Sequence, residues 1–227
     1  IIDVGAESTR PGSEPVDTAE QIRRAVPVIE KLAAKTGVPV SIDTYKPEVA
    51  EAALDAGAAV INDITALADD RLARLAAERE VPVVLMHMQG TPATMQQRPH
   101  YDDVVEEVLQ FLLQRAEKGR GLGIPRERIF IDPGIGFGKT LEQNLELVNR
   151  LAELKQLGKP ILLGTSRKSM IGLVLDLPPA ERLEGNLAVT AIGIANGADM
   201  VRVHDVRQTT LVCRMSDAVV RRGSVDG

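Results

Sequence analysis

With 227 residues, 44% hydrophobic side chains and no tryptophan, the chain is long enough to bury one large α/β core. A formal net charge of −5 argues against a general nucleic-acid binder, although a local arginine cluster could still meet an anionic substrate. Cys213 is the only cysteine, which excludes an intramolecular disulfide and a cysteine metal cluster. No apolar run is long enough to span a bilayer, and neither a signal peptide nor a basic tail is visible. These features describe a soluble, cytosolic protein.

Short apolar runs at 1–4, 40–42, 60–61, 83–86, 129–131, 161–163 and 200–203 read as strands. Segments of helical period lie between them. Ile22, Val26, Ile29 and Ala33 mark one, Val104, Val105, Val108 and Leu112 another, and Leu145, Val148, Leu151 and Ala152 a third. Asp17 with Glu20, and Thr140 with Gln143, resemble capping boxes, and Pro47 suits a first helical turn. Gly37, Gly57 and Gly197 fall where helices should stop, while Pro27 predicts a kink or a late start in the first helix.

Strands that are each followed by a helix imply a parallel sheet covered on both faces. A doubly wound sheet and a (β/α)8 barrel both satisfy that pattern. Polar residues at the C-terminal ends of nearly all the strands favour the barrel, where such ends converge on one mouth. They are Glu7 to Arg10, Asp43, Asn62-Asp63, His87, Asp132, Ser166 to Lys168, and Arg202 with His204 and Asp205. A barrel needs eight strands and seven are counted. No linker or low-complexity stretch divides the chain, so one domain over 1–227 is expected.

The densest chemistry follows the run 129–131, in Asp132-Pro133-Gly134-Ile135-Gly136-Phe137-Gly138-Lys139-Thr140. A carboxylate at a strand end, then three glycines and a helix start, make a corner where backbone can approach a ligand closely. It is neither of the common nucleotide motifs. Pro133 stands where a P-loop needs its first glycine, and the glycines run G-x-G-x-G rather than G-x-G-x-x-G.

Asp43, Asn62 and Asp132 suit a heterocycle bearing donors and acceptors, and Arg10, Lys168, Arg202 and His204 suit a phosphate-type group. Blander readings stand beside these, with Asp43 capping the helix that opens at Pro47 and Arg202 pairing with Asp205. His87 reads as a hydrogen-bonded core or rim histidine, and Lys139 and Thr140 as a helix start. Arg115, Glu117, Lys118 and Arg120 read as a solvated face, and Cys213 as a small buried residue.

Seven motifs, in order and across essentially the whole chain, resemble those of dihydropteroate synthase. They are Glu7-Ser8-Thr9-Arg10-Pro11-Gly12, Ser41-Ile42-Asp43-Thr44, Ile61-Asn62-Asp63, Leu85-Met86-His87-Met88, Asp132-Pro133-Gly134, Ser166-Arg167-Lys168-Ser169 and Arg202-Val203-His204-Asp205. The resemblance implies a TIM barrel that joins 6-hydroxymethyl-7,8-dihydropterin diphosphate to 4-aminobenzoate on the folate pathway, with sulfonamides competing for the second substrate. It implies that Asp43, Asn62, Asp132, Lys168 and Arg202 hold the pterin, and that Thr9, Arg10, Arg202 and His204 bind the diphosphate. Thr9, Pro11, Phe137, Ser166 and Lys168 would border the aminobenzoate pocket. Arg10, Lys168, Arg202 and His204 would be the catalytic set, with Mg2+ as cofactor and a cytoplasmic homodimer as the assembly.

Members of that family carry an earlier strand and loop of the type Asn-Val-Thr-Pro-Asp-Ser-Phe-Ser-Asp-Gly, with no counterpart here. The expectation is therefore a barrel lacking its first β/α unit, with no metal ligand within this chain. Two other functions remain as alternatives: a methyltetrahydrofolate:corrinoid methyltransferase, which the cationic set and Ser-Thr-Arg-Pro-Gly argue against, and a non-catalytic pterin-binding fragment.

Overall fold

The computed structural model describes residues 1–9 and 13–221. Every expected strand forms. β1 (Ile2–Gly5), β2 (Val40–Asp43), β3 (Val60–Asp63), β4 (Val83–Met86) and β5 (Ile129–Asp132) make one sheet in sequence order, and β6 (Leu162–Leu163) pairs with β7 (Met200–Val201). The printed pairings, β1 with β2, β2 with β3, β3 with β4 and β6 with β7, are all parallel. Parallel neighbours need a crossover between them, and the intervening helices supply it. By backbone proximity the chain forms two compact units. One holds Ile1–Met95 and Gln110–Ile131, the other Gln96–Leu109 and the described residues from Asp132 on.

In the first unit, α1 (Thr18–Lys35), α2 (Pro47–Asp55) and α3 (Asp70–Glu78) connect the strands. Ile29, Ile42, Ile61, Leu72 and Leu85 are fully buried in it. The buried stripe of α1 is Gln21, Ala25 and Ile29, not the expected set, because Ile22 and Val26 flank it and Ala33 is exposed. Gln21 is tolerated inside because its Nε2 donates to Val16 O at 3.0 Å. The helix runs through Pro27, which is exposed, so the carbonyl of Arg23 that it cannot bond lies on the solvent side. Asp17 does cap α1, through Ala19 N, but Glu20 turns outward to Arg23 and Arg24 instead of closing a box.

In the second unit, α5 (Leu141–Asn149) opens on a complete capping box between Thr140 and Gln143. It gives way to a 3-10 turn, Leu151–Leu157, so the buried set is Asn144, Leu147, Val148, Leu151 and Leu154, while Leu145 and Ala152 face solvent. α6 (Ser169–Leu175), α7 (Leu183–Ala195) and α8 (Val206–Val220) complete it. Between β4 and β5 lies α4 (Val104–Gly121), whose first residues belong to the second unit and whose remainder belongs to the first, with Val104, Val105, Val108 and Leu112 buried as the periodicity predicted. Its Lys118 is more than a solvated charge, donating to Leu67 O at 2.7 Å and pairing with Asp70. Cys213 is half-buried rather than buried, and burial pushes its thiol up.

Candidate active site

In the first unit the register decides which polar residues share a face. Gly5 lies beside Asp43 and Asp43 beside Asn62, while Asp3 lies beside Ser41. Side chains alternate along a strand, so Asp3, Ser41, Asp43 and Asn62 project from one face and Asp63 from the other. On the first face Asn62 Nδ2 donates to Asp3 Oδ2 at 3.3 Å, and Ser41 Oγ donates to Asp3 Oδ1. Asp3 was not among the expected site residues; its one signal is a carboxylate inside an otherwise apolar strand. Asp43 does not cap α2, whose N-cap is Lys46 without a side-chain cap bond.

Asp63, one residue from Asn62, is wholly buried and structural. Its carboxylate accepts Thr65 N, Thr65 Oγ1 and Leu67 N, each at 2.7 Å. That holds Ala66 and Leu67 in left-handed backbone. Burial pushes this carboxyl up, opposed by the Thr65 and Leu67 bonds and by Arg115. His87 is buried, edge-on to Phe111 with ring centroids 4.9 Å apart, as a core histidine would be. Thr9 is half-buried past β1; Arg10 and Pro11 lie outside the described residues. Glu7 is engaged locally, accepting Val16 N at 2.7 Å.

The second unit carries the glycine-rich corner. Gly134, Gly136 and Gly138 all have positive φ, at 68°, 81° and 61°, which a side chain would resist. Each carbonyl from Gly134 to Gly138 accepts a side-chain donor. Lys139 Nζ reaches Gly134 O at 3.0 Å and Phe137 O at 2.9 Å, and Lys168 Nζ reaches Ile135 O. Gln96 Nε2 donates to Gly136 O at 3.0 Å and Tyr101 Oη to Gly138 O at 2.8 Å. Gly134 N donates to Asp132 Oδ1 at 2.7 Å, and Gly136 N to Asn144 Oδ1 at 2.6 Å. Lys139 is therefore not merely a helix start. Its ammonium is buried inside the turn, and that burial holds its pKa well below the ordinary lysine range. Gln96, Tyr101 and Asn144 were also missed: the first two lie tens of residues before the loop and Asn144 reads as an ordinary helix residue, so nothing in their spacing marks them as its partners.

Asp132, Phe137, Ser166, Lys168, Arg202 and His204 all belong to this unit. Burial is the largest influence on Asp132 and pushes its carboxyl up, against Lys168, the Gly134 N–H, Arg202 and Lys139, all of which favour the carboxylate. Lys168 Nζ lies 4.9 Å from the centroid of the Phe137 ring, within cation–π range. Gly164 leaves room beside the Lys168 ammonium and the base of the Arg202 side chain: a Cβ there would be 3.9 Å from Lys168 Nζ and 3.8 Å from Arg202 Cβ. Ser166 Oγ is 2.9 Å from His204 Nδ1 and accepts the His204 N–H at 3.2 Å. Asp205 pairs with Arg167 at 3.0 Å, so it does not neutralise Arg202 in the way the bland reading supposed. The arrangement offers a buried carboxyl for a ring N–H or amino group, with cations able to face departing negative charge.

Residues 1–204 match the family of pterin binding enzymes. The class is thus a pterin-binding enzyme on an α/β framework of parallel strands. The dihydropteroate synthase of Clostridium beijerinckii is 50% identical over 224 residues, 98% of this chain and 81% of that protein. The Yersinia pestis dihydropteroate synthase, solved as a sulfonamide drug complex, superposes with a TM-score of 0.95 at 41% identity, over 98% of this chain and 80% of that one. The Clostridium difficile dihydropteroate synthase, solved in the presence of pteroic acid, gives a TM-score of 0.91 at 47% identity, over 97% and 82%. This chain belongs to the dihydropteroate synthase family: it is a transferase of a pterinylmethyl group, and its fold class is the TIM-barrel class expected from the sequence.

Proposed function

We propose that this chain condenses 6-hydroxymethyl-7,8-dihydropterin diphosphate with 4-aminobenzoate, and that Asp43, Asn62, Asp132, Lys168 and Arg202 bind the pterin. Arg202 and His204, with Thr9 and Arg10, take the diphosphate. Phe137, Ser166 and Lys168, with Thr9 and Pro11, border the aminobenzoate, where a sulfonamide would compete. The observation that carries the reading is the buried Asp132 carboxyl, with Lys168 and Arg202 both acting on it electrostatically.

The bond from the pterin methylene carbon to the diphosphate oxygen breaks, and its electron pair leaves with the diphosphate. The ring shares the positive charge that remains on carbon, with Asp132 and Asp43 favouring that electron-poor state. Lys168, Arg202 and His204 face the departing anion, which is electrostatic catalysis without a protein nucleophile. The aminobenzoate nitrogen then forms the new C–N bond and releases a proton.

Among the described residues no three His, Cys, Asp or Glu side chains are grouped to hold a metal, and no step is assigned to the ion. Mg2+ stays an expectation of the resemblance, checked by adding and chelating it. A homodimer belongs to the same proposal. Ile192 on α7 and Leu211, Met215 and Val219 on α8 leave apolar side chains at the surface, Met215 and Val219 each 66% exposed. Sedimentation as a monomer at micromolar concentration would refute it. A cytoplasmic location completes it, supported by the finding that no helix of the described residues is long and apolar enough to cross a membrane.

The test is diphosphate release from the pterin diphosphate, with and without 4-aminobenzoate. Release that depends on the amine, together with dihydropteroate formation, is expected. Pterin binding without release would instead identify a non-catalytic binder, and methyl exchange with a corrinoid would identify the methyltransferase.

A further inference from the structure

Short helix α6 begins immediately after Ser166-Arg167-Lys168, and its start is unusual in two ways. Arg167 sits at φ +59°, a left-handed conformation that a residue with a Cβ resists unless its surroundings hold it there. Lys168 is the N-cap of α6 yet makes no side-chain cap bond. Stability for this turn must come from elsewhere.

It comes from Arg182, at the entrance to α7. One guanidinium nitrogen, Nη1, donates to Arg167 O at 3.0 Å and to Lys168 O at 3.2 Å. Nε donates to Leu177 O at 2.9 Å, just beyond the other end of α6. The planar group therefore ties the start of the helix to its exit. Between those ends it lies flat on Gly172: a Cβ built there would be 2.1 Å from Nη2, 2.4 Å from Cζ and 2.5 Å from Nε. Gly172 has an ordinary helical φ, so only the guanidinium explains a glycine in the middle of α6. A lysine could not replace Arg182, because a single ammonium cannot span carbonyls at both ends of the helix.

We propose that Arg182 is a positioning residue: it holds the Thr165–Lys168 turn in the conformation that presents the Ser166 hydroxyl and the Lys168 ammonium together, with Gly172 leaving it room. The inference rests on the roles proposed above for Ser166 and Lys168. The consequence is specific. Loosening this turn moves Lys168 away from Ile135 O and Phe137 and moves Ser166 away from His204, but leaves the first unit's Asp43 and Asn62 unchanged. Lys168 is proposed to touch both substrates, but the pterin keeps Asp43, Asn62, Asp132 and Arg202 while the aminobenzoate loses Ser166 as well, so damage should fall on kcat and on aminobenzoate use more heavily than on the apparent affinity for the pterin substrate.

The experiment compares the unaltered chain with Arg182→Lys, Arg182→Ala, Gly172→Ala and the double variant Arg182→Ala/Gly172→Ala, each checked for folding by circular dichroism. Amide deuterium exchange of the 165–171 segment is read by mass spectrometry, which needs no substrate. It should speed up by about tenfold in Arg182→Lys and in Gly172→Ala, as loss of two hydrogen bonds predicts. In steady-state turnover the same variants should lose about tenfold in kcat and about a hundredfold in kcat/KM for 4-aminobenzoate, with KM for the pterin diphosphate raised less than KM for 4-aminobenzoate. In the Arg182→Ala background, Gly172→Ala should do no further harm and should raise the Tm, since the space is vacant and alanine favours the helix.

Unchanged exchange in 165–171, or equal harm from Gly172→Ala in both backgrounds, overturns the proposal. So does a fall in turnover that affects both substrates alike and merely follows the Tm. If the unaltered chain shows no turnover, it is the proposed function that fails. Exchange and the double-variant comparison then decide whether Arg182 governs the turn.

Discussion

The two polar clusters, one in each compact unit, are held in place by different means. In the first unit Asp3, Ser41, Asp43 and Asn62 sit on adjacent parallel strands, and the main-chain ladder sets their spacing. Any side chain at these positions would project from the same face at the same separation. In the second unit the Gly134–Gly138 loop and the Ser166–Lys168 turn have no ladder. Side chains hold them instead: Lys139, Gln96, Tyr101 and Asn144 around the loop, with Arg167 reaching Asp205. A ladder is redundant, since losing one group leaves the neighbouring bonds intact. A loop pinned by single donors is not. The first cluster should tolerate conservative change in its supporting residues and the second should not.

The largest effect is expected at the residues proposed to face ligand. Lys168→Ala should leave the fold intact and lower kcat/KM by about a thousandfold or more, because the ammonium beside Asp132 and Phe137 goes. Turnover within tenfold of the unaltered chain would contradict its role. Next comes Lys139→Met, which keeps the stem but leaves the carbonyls of Gly134 and Phe137 without that donor. Loss of about 2 kcal/mol in a denaturant titration is expected, and an unchanged midpoint would show that the loop is not pinned in this way.

The same substitution carries a pH signature. Burial lowers the Lys139 pKa in the folded chain, so between the folded and unfolded values the unfolded chain binds more protons. Stability contributed by this group is therefore full above the unfolded lysine pKa and is lost as pH falls through the folded one. Unaltered protein should gain stability relative to Lys139→Met as pH is raised from neutral toward the ordinary lysine range. A difference that is flat or that shrinks with rising pH would refute the direction.

Two milder changes sharpen the contrast between the clusters. Tyr101→Phe removes one donor to Gly138 O and should cost about 1 kcal/mol, with a rise in KM for 4-aminobenzoate, because burial keeps this phenol a protonated donor across the working range. Ser41→Ala also removes one hydrogen bond but sits on the ladder, so both substrates' KM values should stay unchanged. A shift in KM as large as that of Tyr101→Phe would erase the proposed difference. At the bottom of the scale, Glu20 pairs with Arg23 and Arg24, which hold its carboxyl down at about 2, yet both arginines are exposed to solvent. Glu20→Ala should leave the Tm unchanged within error.

Periodicity and turn chemistry made the seven strands legible within a residue or two, because a buried parallel strand must be a short apolar run. The Thr140 capping box and Pro47 were legible for the same local reason. Two helical stripes were misplaced. In α1 Ile22 and Val26 flank the buried stripe instead of forming it, because Gln21 finds a main-chain partner inside. In α5 the helix changes to a 3-10 turn, which shifts the phase of burial. Neither event is visible in spacing alone.

The motifs already carried the family and the fold class, and they singled out Asp43, Asn62, Asp132, Lys168, Arg202 and His204 as the residues proposed to meet ligand, since chemistry depends on residue type and order along the strands. Which neighbours serve as supports was decided only in three dimensions. Asn62 and Asp63 are adjacent in sequence, but the strand's two-residue alternation turns one to the polar face and buries the other beneath a loop. Lys139 looks like a surface charge at a helix start until the folded turn closes around it. Arg182 and Gly172 are ten residues apart and acquire meaning only when α6 and α7 pack, because a hydrogen bond or an excluded volume is a property of distance in space and not of position in the chain.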